Sequence, residues 1–213
     1  YGIMLNNGEG VQMNKEEAAR YFKMAADEGD TEAMQNYGIM LYHGDGIRTN
    51  REEACRYFKM AADKDNSDTM FLYANMHFNG DGVPMNKEEA FKYYKMAADK
   101  GNIDAMNTLG RILDNGNGVV KNKAEACKYY KMAADKGNAN AMYNYALMLQ
   151  EGEGVQKNKE EASRYFKMAA DKGQMQAQSQ YNIIPQHSAG QISQSEATQS
   201  KNISQNQSKT CFL

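Results

Sequence analysis

The fold is decided by a short stretch, Tyr21-Phe22-Lys23-Met24-Ala25-Ala26-Asp27, which returns along the chain at intervals of 36 residues. The later copies begin at Tyr57, Tyr93, Tyr129 and Tyr165. A pair of glycines keeps the same interval, as Gly8/Gly10, Gly44/Gly46, Gly80/Gly82, Gly116/Gly118 and Gly152/Gly154. Self-similarity at a period of about 20 to 50 residues is typical of solenoids, in which each unit buries its apolar face on its neighbours. We therefore predict a stack of repeats and not a domain with one unique core.

One unit, residues 30–65, shows the signals of two helices. Asp30 is a suitable N-cap for a first helix, helix A, which we expect to run to about His43 before Gly44 closes it. Residues 44–49 form a connector, whose glycines we interpret as turn residues and not as a phosphate-binding loop. Asn50 then caps helix B, and Glu53 three residues later completes a capping box.

The apolar residues of helix B recur at the spacing of a buried helical face, with Ala54, Tyr57, Phe58 and Ala61 at positions i, i+3, i+4 and i+7. The predicted fold class is all-α, an α/α superhelix (solenoid) of 36-residue helix-turn-helix repeats. We divide the array, residues 1–183, into a half repeat 1–29, complete repeats 30–65, 66–101, 102–137 and 138–173, and a decaying helix 174–183.

The two ends of the chain differ from the array. Residues 184–213 lose the periodicity and are rich in Gln, Ser and Asn, a composition that buries too little apolar surface to offset the entropy of ordering. We predict that this tail is disordered. At the other end, Tyr1-Gly2-Ile3-Met4-Leu5 matches residues 37–41 in the middle of a repeat. We therefore expect the chain to be the C-terminal part of a longer polypeptide.

These motifs resemble the Sel-one-like repeat (SLR), a relative of the tetratricopeptide repeat. The resemblance rests on Gly38, the connector Gly44-Asp45-Gly46-Ile47, and the helix B residues Glu53-Ala54, Tyr57-Phe58-Lys59 and Ala61-Ala62. It implies an α/α superhelix that serves as an adaptor, as in scaffolds of multiprotein complexes of the endoplasmic reticulum and in signalling. A cysteine-rich group of relatives is linked to penicillin binding, but the paired cysteines of that group are missing here.

The chain departs from the family pattern in two ways. Met24, Met60, Met96, Met132 and Met168 stand where the family often has Ala, and Asp65 stands where a repeat-ending Gly is expected. We expect the Asp65 substitution to loosen the end of its helix. We interpret the methionines of the helix A core as buried filler, and not as an adaptable binding surface.

Comparison of the copies within the chain separates core from surface on helix A. The arc that contains Ala33, Met34, Tyr37, Gly38 and Leu41 is similar in every copy, and we assign it to the core. On the opposite arc the copies disagree, and in stacked helical pairs helix A usually lines the concave side. Partner-binding candidates on that arc are Gln35, Ile39, Tyr42, Phe71, Asn75, Phe78, Asn107, Arg111, Asp114, Tyr143, Leu147 and Gln150.

Two other interpretations of the variable arc stay open. The positions could vary because solvent tolerates any side chain, although Phe71, Phe78 and Tyr143 are residue types that commonly anchor interfaces. Alternatively, Phe71 or Phe78 could fill space in the packing between repeats.

Bulk properties exclude several classes of function. A net charge of −2 attracts neither nucleic acid nor an anionic membrane, and no apolar run reaches the length of a membrane span. His43, His77 and His187 share no metal-ligand spacing, and no cofactor motif or catalytic set is present. We therefore expect no metal, no cofactor and no enzymatic activity in this chain.

The sequence predicts a non-catalytic interaction scaffold, a monomeric array that binds a protein or peptide partner in the concave groove of the solenoid. Alternatives are the regulatory repeat region of a longer enzyme, for example a kinase, and an endoplasmic-reticulum quality-control adaptor. Cys55 and Cys127 occupy equivalent positions in non-adjacent repeats and are too far apart to form a disulfide. We expect a cytoplasmic location, with the endoplasmic reticulum as the alternative.

Overall fold

The computed structural model of the protein describes residues 1–183, and the predicted tail 184–213 lies outside the described residues. Residues 1–183 form helices and turns with no strand, which confirms the all-α prediction. The helices are α1 (Gly2–Asn7), α2 (Lys15–Asp27), α3 (Thr31–His43), α4 (Arg51–Ala62), α5 (Ser67–Asn79), α6 (Lys87–Asp99), α7 (Ile103–Asn115), α8 (Lys123–Asp135), α9 (Ala139–Glu151), α10 (Lys159–Asp171) and α11 (Met175–Ile183). Odd-numbered helices are helices A and even-numbered helices are helices B.

The predicted caps set the ends of the helices. Asp30 accepts a 2.6 Å hydrogen bond from the backbone N–H of Ala33 at the start of α3, and Gly44 ends that helix with φ of 78°. At the start of α4, Asn50 accepts from the backbone N–H of Glu53 at 3.1 Å and donates its side-chain amide to the Glu53 carboxylate at 2.8 Å. The predicted capping box is therefore only half formed, because Glu53 accepts from the side-chain amide of Asn50, whose backbone N–H donates instead to the Leu41 carbonyl at 2.8 Å.

Helix α4 ends one residue earlier in its repeat than the other long helices B. α4 stops at Ala62, whereas α2, α6, α8 and α10 continue through the Asp of the repeated stretch. Asp65 has φ of 69°, and within residues 1–183 it is the only residue other than glycine with a positive φ. This backbone conformation is costly for a residue with a side chain, and the loosening of the helix end at Asp65 stays a prediction.

Each connector after the first packs against the beginning of the previous helix B. A Cβ atom on Gly46 would lie 2.5 Å from the backbone carbonyl carbon of Lys15, so only glycine fits there. Lys15 also forms a 2.7 Å ion pair with Asp45, and Arg51 and Asp81 repeat this contact at 2.5 Å one repeat later. The second glycine of the G-x-G pair is therefore required by contact between repeats.

Paired aromatic rings fill the space between helix A and helix B of a repeat. The rings of Tyr37 and Tyr57 meet edge to face with centroids 4.9 Å apart, and Tyr145 and Tyr165 repeat the arrangement at 4.8 Å. The helix B stripe Ala54, Tyr57, Phe58 and Ala61 is buried, as predicted.

The methionines differ in burial between the two helices of a repeat, and those of the helix A core are buried as predicted. In α3, α5, α7 and α9 the methionines are buried, with Met34 2% and Met142 2% exposed, whereas Met4 of α1 is 40% and Met175 of α11 is 82% exposed. Four helix B methionines are exposed, Met24 65%, Met60 44%, Met132 43% and Met168 42%, and Met96 is half-buried. Since the two alanines that follow each of them turn inward, the preceding Met points away from the core at about 100° per residue.

Candidate partner-binding face

The candidate face consists of the twelve side chains predicted from the variable arc of helix A. They lie on α3, α5, α7 and α9, and all except Arg111 are half-buried. The face is therefore neither free surface nor core: Gln35, Ile39, Tyr42, Phe71, Asn75, Phe78, Asn107, Asp114, Tyr143, Leu147 and Gln150 each keep part of their surface accessible, and Arg111 is exposed.

In repeat 66–101, three residues of the candidate face converge on the ring of Tyr94 in α6. The rings of Phe71 and Phe78 lie with centroids 5.8 Å and 6.1 Å from the Tyr94 ring. Asn75 accepts a 2.7 Å hydrogen bond from the Tyr94 hydroxyl. Burial raises the pKa of Tyr94, so this hydroxyl keeps its proton and donates. Phe71 and Phe78 thus pack within their own repeat, while part of each ring remains accessible.

Tyr42 joins the candidate face to the next connector. Its hydroxyl donates a short hydrogen bond to the carboxylate of Asp81, which also forms an ion pair with Arg51. The Arg51 guanidinium lies 4.9 Å from the centre of the Tyr42 ring, a cation–π contact. The hydrogen bond to Asp81, together with burial, raises the pKa of Tyr42. This three-residue cluster holds the Tyr42 ring in one orientation.

A cavity opens between α3 and α5 beside this cluster. Its volume is about 130 Å³, which is similar to that of an apolar cavity of about 150 Å³ that admits a benzene ring. Three predicted residues, Ile39, Tyr42 and Asn75, meet there. The rest of the lining consists of His43, Phe58, Leu72, Met76, Asn79 and Asp81. Five of the nine lining residues are aliphatic, aromatic or Met, and the other four carry imidazole, amide or carboxylate groups.

Amide groups connect neighbouring repeats along the same face. The Gln35 side-chain oxygen accepts a hydrogen bond from Asn66 at 3.2 Å, and the Asn107 side-chain oxygen accepts from Asn144 at 3.4 Å. Gln150 carries a buried side-chain oxygen with no hydrogen-bond donor among residues 1–183. Some of the predicted polar residues are therefore already used in holding the repeats together.

The last repeats contribute aromatic and charged groups. The Tyr143 ring packs 5.7 Å from the ring of Phe166, and Leu147 packs against the core beside it. Arg111 and Asp114 lie near the hydroxyl of Tyr130: burial raises the pKa of Tyr130, the Asp114 charge raises it further and the Arg111 charge lowers it.

The residues of the cavity and its cluster that the candidate list lacked are His43, Phe58, Leu72, Met76, Asn79, Asp81 and Arg51. A signal for Arg51 and Asp81 exists in the sequence, because a basic residue begins α2, α4, α6 and α8 and a polar or acidic residue follows 30 positions later in the next connector. Lys15 and Asp45 show the same pairing.

Residues 1–183 do not bring together the side chains of a metal site or an activated nucleophile. These residues contain no cluster of three or more His, Cys, Asp or Glu side chains that could hold a metal ion. The Cys55 sulfur lies 4.0 Å from Nε2 of His77, but burial raises the pKa of the Cys55 thiol to about 11, opposite to the shift that activates a nucleophile. Along the described helices, none is both long enough and apolar enough to cross a bilayer.

Comparison with solved structures places this architecture among known proteins. The chain is 30% identical, with a TM-score of 0.84, to a protective antigen of uropathogenic Escherichia coli strains that displays an SLR fold. The match covers 86% of this chain and 39% of that one. A Sel1 repeat protein from Oxalobacter formigenes is also 30% identical, with a TM-score of 0.76, over 83% of this chain and 70% of that one. No curated protein sequence matches the chain.

The family comparison agrees with the internal repeat. The Sel1 repeat model matches five consecutive segments, residues 1–30, 31–66, 67–102, 103–138 and 139–174. Each segment holds one helix A, one G-x-G connector and one helix B. The chain therefore belongs to the Sel1 repeat family.

Proposed function

We propose that this chain is a non-catalytic scaffold that binds an extended peptide, or an extended segment of a protein partner, along the candidate face. Sel1 repeat solenoids generally act as protein-interaction scaffolds. The observation that carries the proposal is the cavity between α3 and α5, which is lined by Ile39, Tyr42 and Leu72 and leaves apolar surface uncovered. Apolar surface that stays accessible in a concave site is typical of ligand recognition.

The spacing of the helices that carry the candidate face suits an extended ligand. Neighbouring helices pack roughly 8–10 Å apart, so an extended segment reaches a new repeat about every three residues. The cavity suits one aliphatic side chain of such a segment. Exposed Arg111 and the amides of the face are positioned along the same helices to bind backbone carbonyls or carboxylates.

The half-buried aromatic residues of the candidate face are poor positions for a first test. Truncation of Phe71 or Phe78 removes packing on Tyr94 as well as contact surface, so a loss of binding would have two causes. Better substitutions come from other copies of the repeat, which already accept them: Ile39→Asn copies Asn75, and Leu72→Asn copies Asn36.

The experiment selects peptides on the intact chain from a displayed random library and measures their affinity by calorimetry. We expect the Ile39→Asn/Leu72→Asn variant to bind the selected peptides at least about tenfold more weakly, a loss of about 1.4 kcal/mol. Glu88→Gln on the exposed surface of α6 is the matched control and should leave affinity unchanged. Equal binding by the cavity variant and wild type, or failure to select any peptide, would refute the proposal.

We further propose that binding takes place in a reducing compartment, the cytoplasm, and that the array acts as a monomer. Cys55 and Cys127 are both buried free thiols, which fits a compartment that does not form disulfides. Fractionation of cells that express the full-length protein tests the compartment, and recovery in the endoplasmic reticulum would contradict it.

A further inference from the structure

The exposed helix B methionines form an apolar surface that the proposed function does not use. We call Met24, Met60, Met96, Met132 and Met168 the methionine row, because each occupies the same position of successive helices B. Four of them are at least 42% exposed, whereas the helix A methionine Met106 is 2% exposed. Exposed Met side chains in a group are uncommon and make an adaptable apolar surface.

Cations stand on both sides of the methionine row. Residues four apart on a helix share a face, and each Met follows an Arg or Lys at that distance. From the second copy onward a Lys also stands four residues after the Met. The first line contains Arg20, Arg56, Lys92, Lys128 and Arg164, and the second contains Lys64, Lys100, Lys136 and Lys172, all of them exposed.

The cations differ in whether they already have partners. Arg56 forms an ion pair with Glu52 at 2.7 Å, and Lys100 pairs with Asp65 at 2.9 Å. By contrast, the four cations placed four residues before and after Met132 and Met168 make no ion pair or hydrogen bond within residues 1–183. These cations are Lys128, Lys136, Arg164 and Lys172. Part of the reason lies in the sequence: Ala124 stands where the other copies have Glu, so Lys128 has no carboxylate four residues before it.

The two helices that carry these free cations lie side by side. The Tyr165 hydroxyl of α10 donates a 3.1 Å hydrogen bond to Asp135 of α8. The nearby carboxylates Asp135 and Asp171 are neutralised by Lys131 and Lys167 of their own helices, at 2.7 Å and 2.9 Å. The outward surface of α8 and α10 therefore presents two accessible Met side chains between four cations that form no ion pair within residues 1–183, together with exposed Glu160 four residues before Arg164.

We infer that this surface of α8 and α10 binds an amphipathic helix of a protein partner, with an apolar stripe flanked by Asp or Glu. The stripe would cover Met132 and Met168, and the carboxylates would pair with the two lines of cations. An anionic membrane is the less suitable ligand, because its flat surface would also cover exposed Glu160 at the start of α10, which a single helix lying along the two methionines need not contact. This binding is independent of the candidate face on helices A.

The test uses the full chain with ¹³C-labelled Met methyl groups, assigned by single Met→Leu substitutions. The probe is a synthetic helix of about 20 residues, about 30 Å long, with leucines along one stripe and glutamates on both sides. We expect the Met132 and Met168 methyl signals to shift on titration, while those of buried Met106 and Met142 do not. A peptide with Lys in place of every Glu should bind at least about tenfold more weakly.

Variants separate this site from other surfaces. Met132→Gln/Met168→Gln should weaken the acidic peptide at least about tenfold, and Met24→Gln is the matched control because Glu28 replaces the second cation there. The Ile39→Asn/Leu72→Asn variant should still bind the acidic peptide. Equal binding by the Met132→Gln/Met168→Gln variant, equal binding of the lysine peptide, or shifts produced only by phosphatidylserine vesicles would each overturn the inference.

Discussion

The Tyr94 hydroxyl donates a 2.7 Å hydrogen bond to the side-chain oxygen of Asn75, so a buried ring of α6 positions a residue of the candidate face on α5. Phe71 and Phe78 rest on the same ring. Core and candidate face are therefore coupled in repeat 66–101. A change at Tyr94 should alter both stability and the shape of the face.

The substitution Tyr94→Phe tests this coupling. The ring itself is tolerated, because Phe58 and Phe166 occupy the equivalent positions of other repeats. Loss of the hydroxyl leaves Asn75 without its donor, and we expect the free energy of unfolding to fall by about 1 kcal/mol. Urea denaturation followed by circular dichroism measures the change.

Tyr130→Phe is the matched control for this prediction. Tyr130 is buried at the equivalent position of repeat 102–137, but its hydroxyl has no hydrogen-bond partner in the part of the chain that the structure describes. Its removal should leave the urea midpoint nearly unchanged. Equal effects of the two substitutions would show that the bond to Asn75 contributes nothing to stability.

Contact between repeats can be measured at the connector glycines. Gly46 and Gly10 have nearly the same backbone, with φ of 74° and 72°, but different surroundings. A Cβ on Gly46 would meet the Lys15 backbone at 2.5 Å, whereas a Cβ on Gly10 would meet only the Met4 side chain, at 3.8 Å. Gly10→Ala should cost about 1 kcal/mol of backbone strain, and Gly46→Ala at least about 2 kcal/mol more because the repeats must separate.

Thermal or urea unfolding of the two glycine variants provides the comparison, since both carry the same chemical change. A similar loss of stability in both would mean that the turn conformation alone, and not the approach of neighbouring repeats, requires the second glycine of the connector.

Asp65 offers a stabilising substitution. Asp65→Gly removes the side chain from a position with φ of 69° and should raise the free energy of unfolding by about 0.5 kcal/mol. The ion pair with Lys100 is lost, but the Asp65 side chain is 76% exposed, so that loss is small. The reverse change, Gly101→Asp at the equivalent position, should destabilise. A lower urea midpoint for Asp65→Gly would contradict this account.

Local signals explain why much of the fold could be predicted. Caps such as Asp30 and Asn50 act within three residues, and the buried stripe of helix B follows from the helical period alone. The exposure of Met60 follows from the same period, because Met60 lies outside the stripe formed by Ala54, Tyr57, Phe58 and Ala61. The all-α array and the core side of each helix are thus available from the sequence.

Contacts between distant positions could not be predicted in the same way. The bond from Tyr42 to Asp81 joins residues 39 positions apart, and it depends on the rotamers of both side chains and on the approach of two repeats. The same is true of the cavity between α3 and α5, whose lining comes from three helices and a connector. The sequence could indicate which arc of helix A varies, but not that most of this arc is half-buried.

The last prediction concerns the buried thiol of Cys55. Desolvation raises its pKa to about 11, above the value of about 8.5 for an unperturbed thiol. In a Cys127→Ala/Cys211→Ser background, iodoacetamide should therefore alkylate native Cys55 slowly at pH 8 and at the ordinary thiol rate in urea. Alkylation of the native chain as fast as the unfolded chain would show that Cys55 is not desolvated.

The same pKa shift makes stability depend on pH. Since the folded-state pKa is raised, the contribution of the neutral thiol is fully present below the unfolded value, and it is lost as the pH rises through about 11. The free energy of unfolding should begin to fall above about pH 9. Burial also raises the pKa of Tyr73 and Tyr145, to about 12, so these two tyrosines add to the loss of stability only at higher pH. Cys55→Ala, which copies Ala19 of the first repeat, should flatten the early part of this decline. Urea midpoints at pH 7.5, 9 and 10.5 measure it, and a wild type and variant that decline in parallel would assign the alkaline loss to groups other than Cys55.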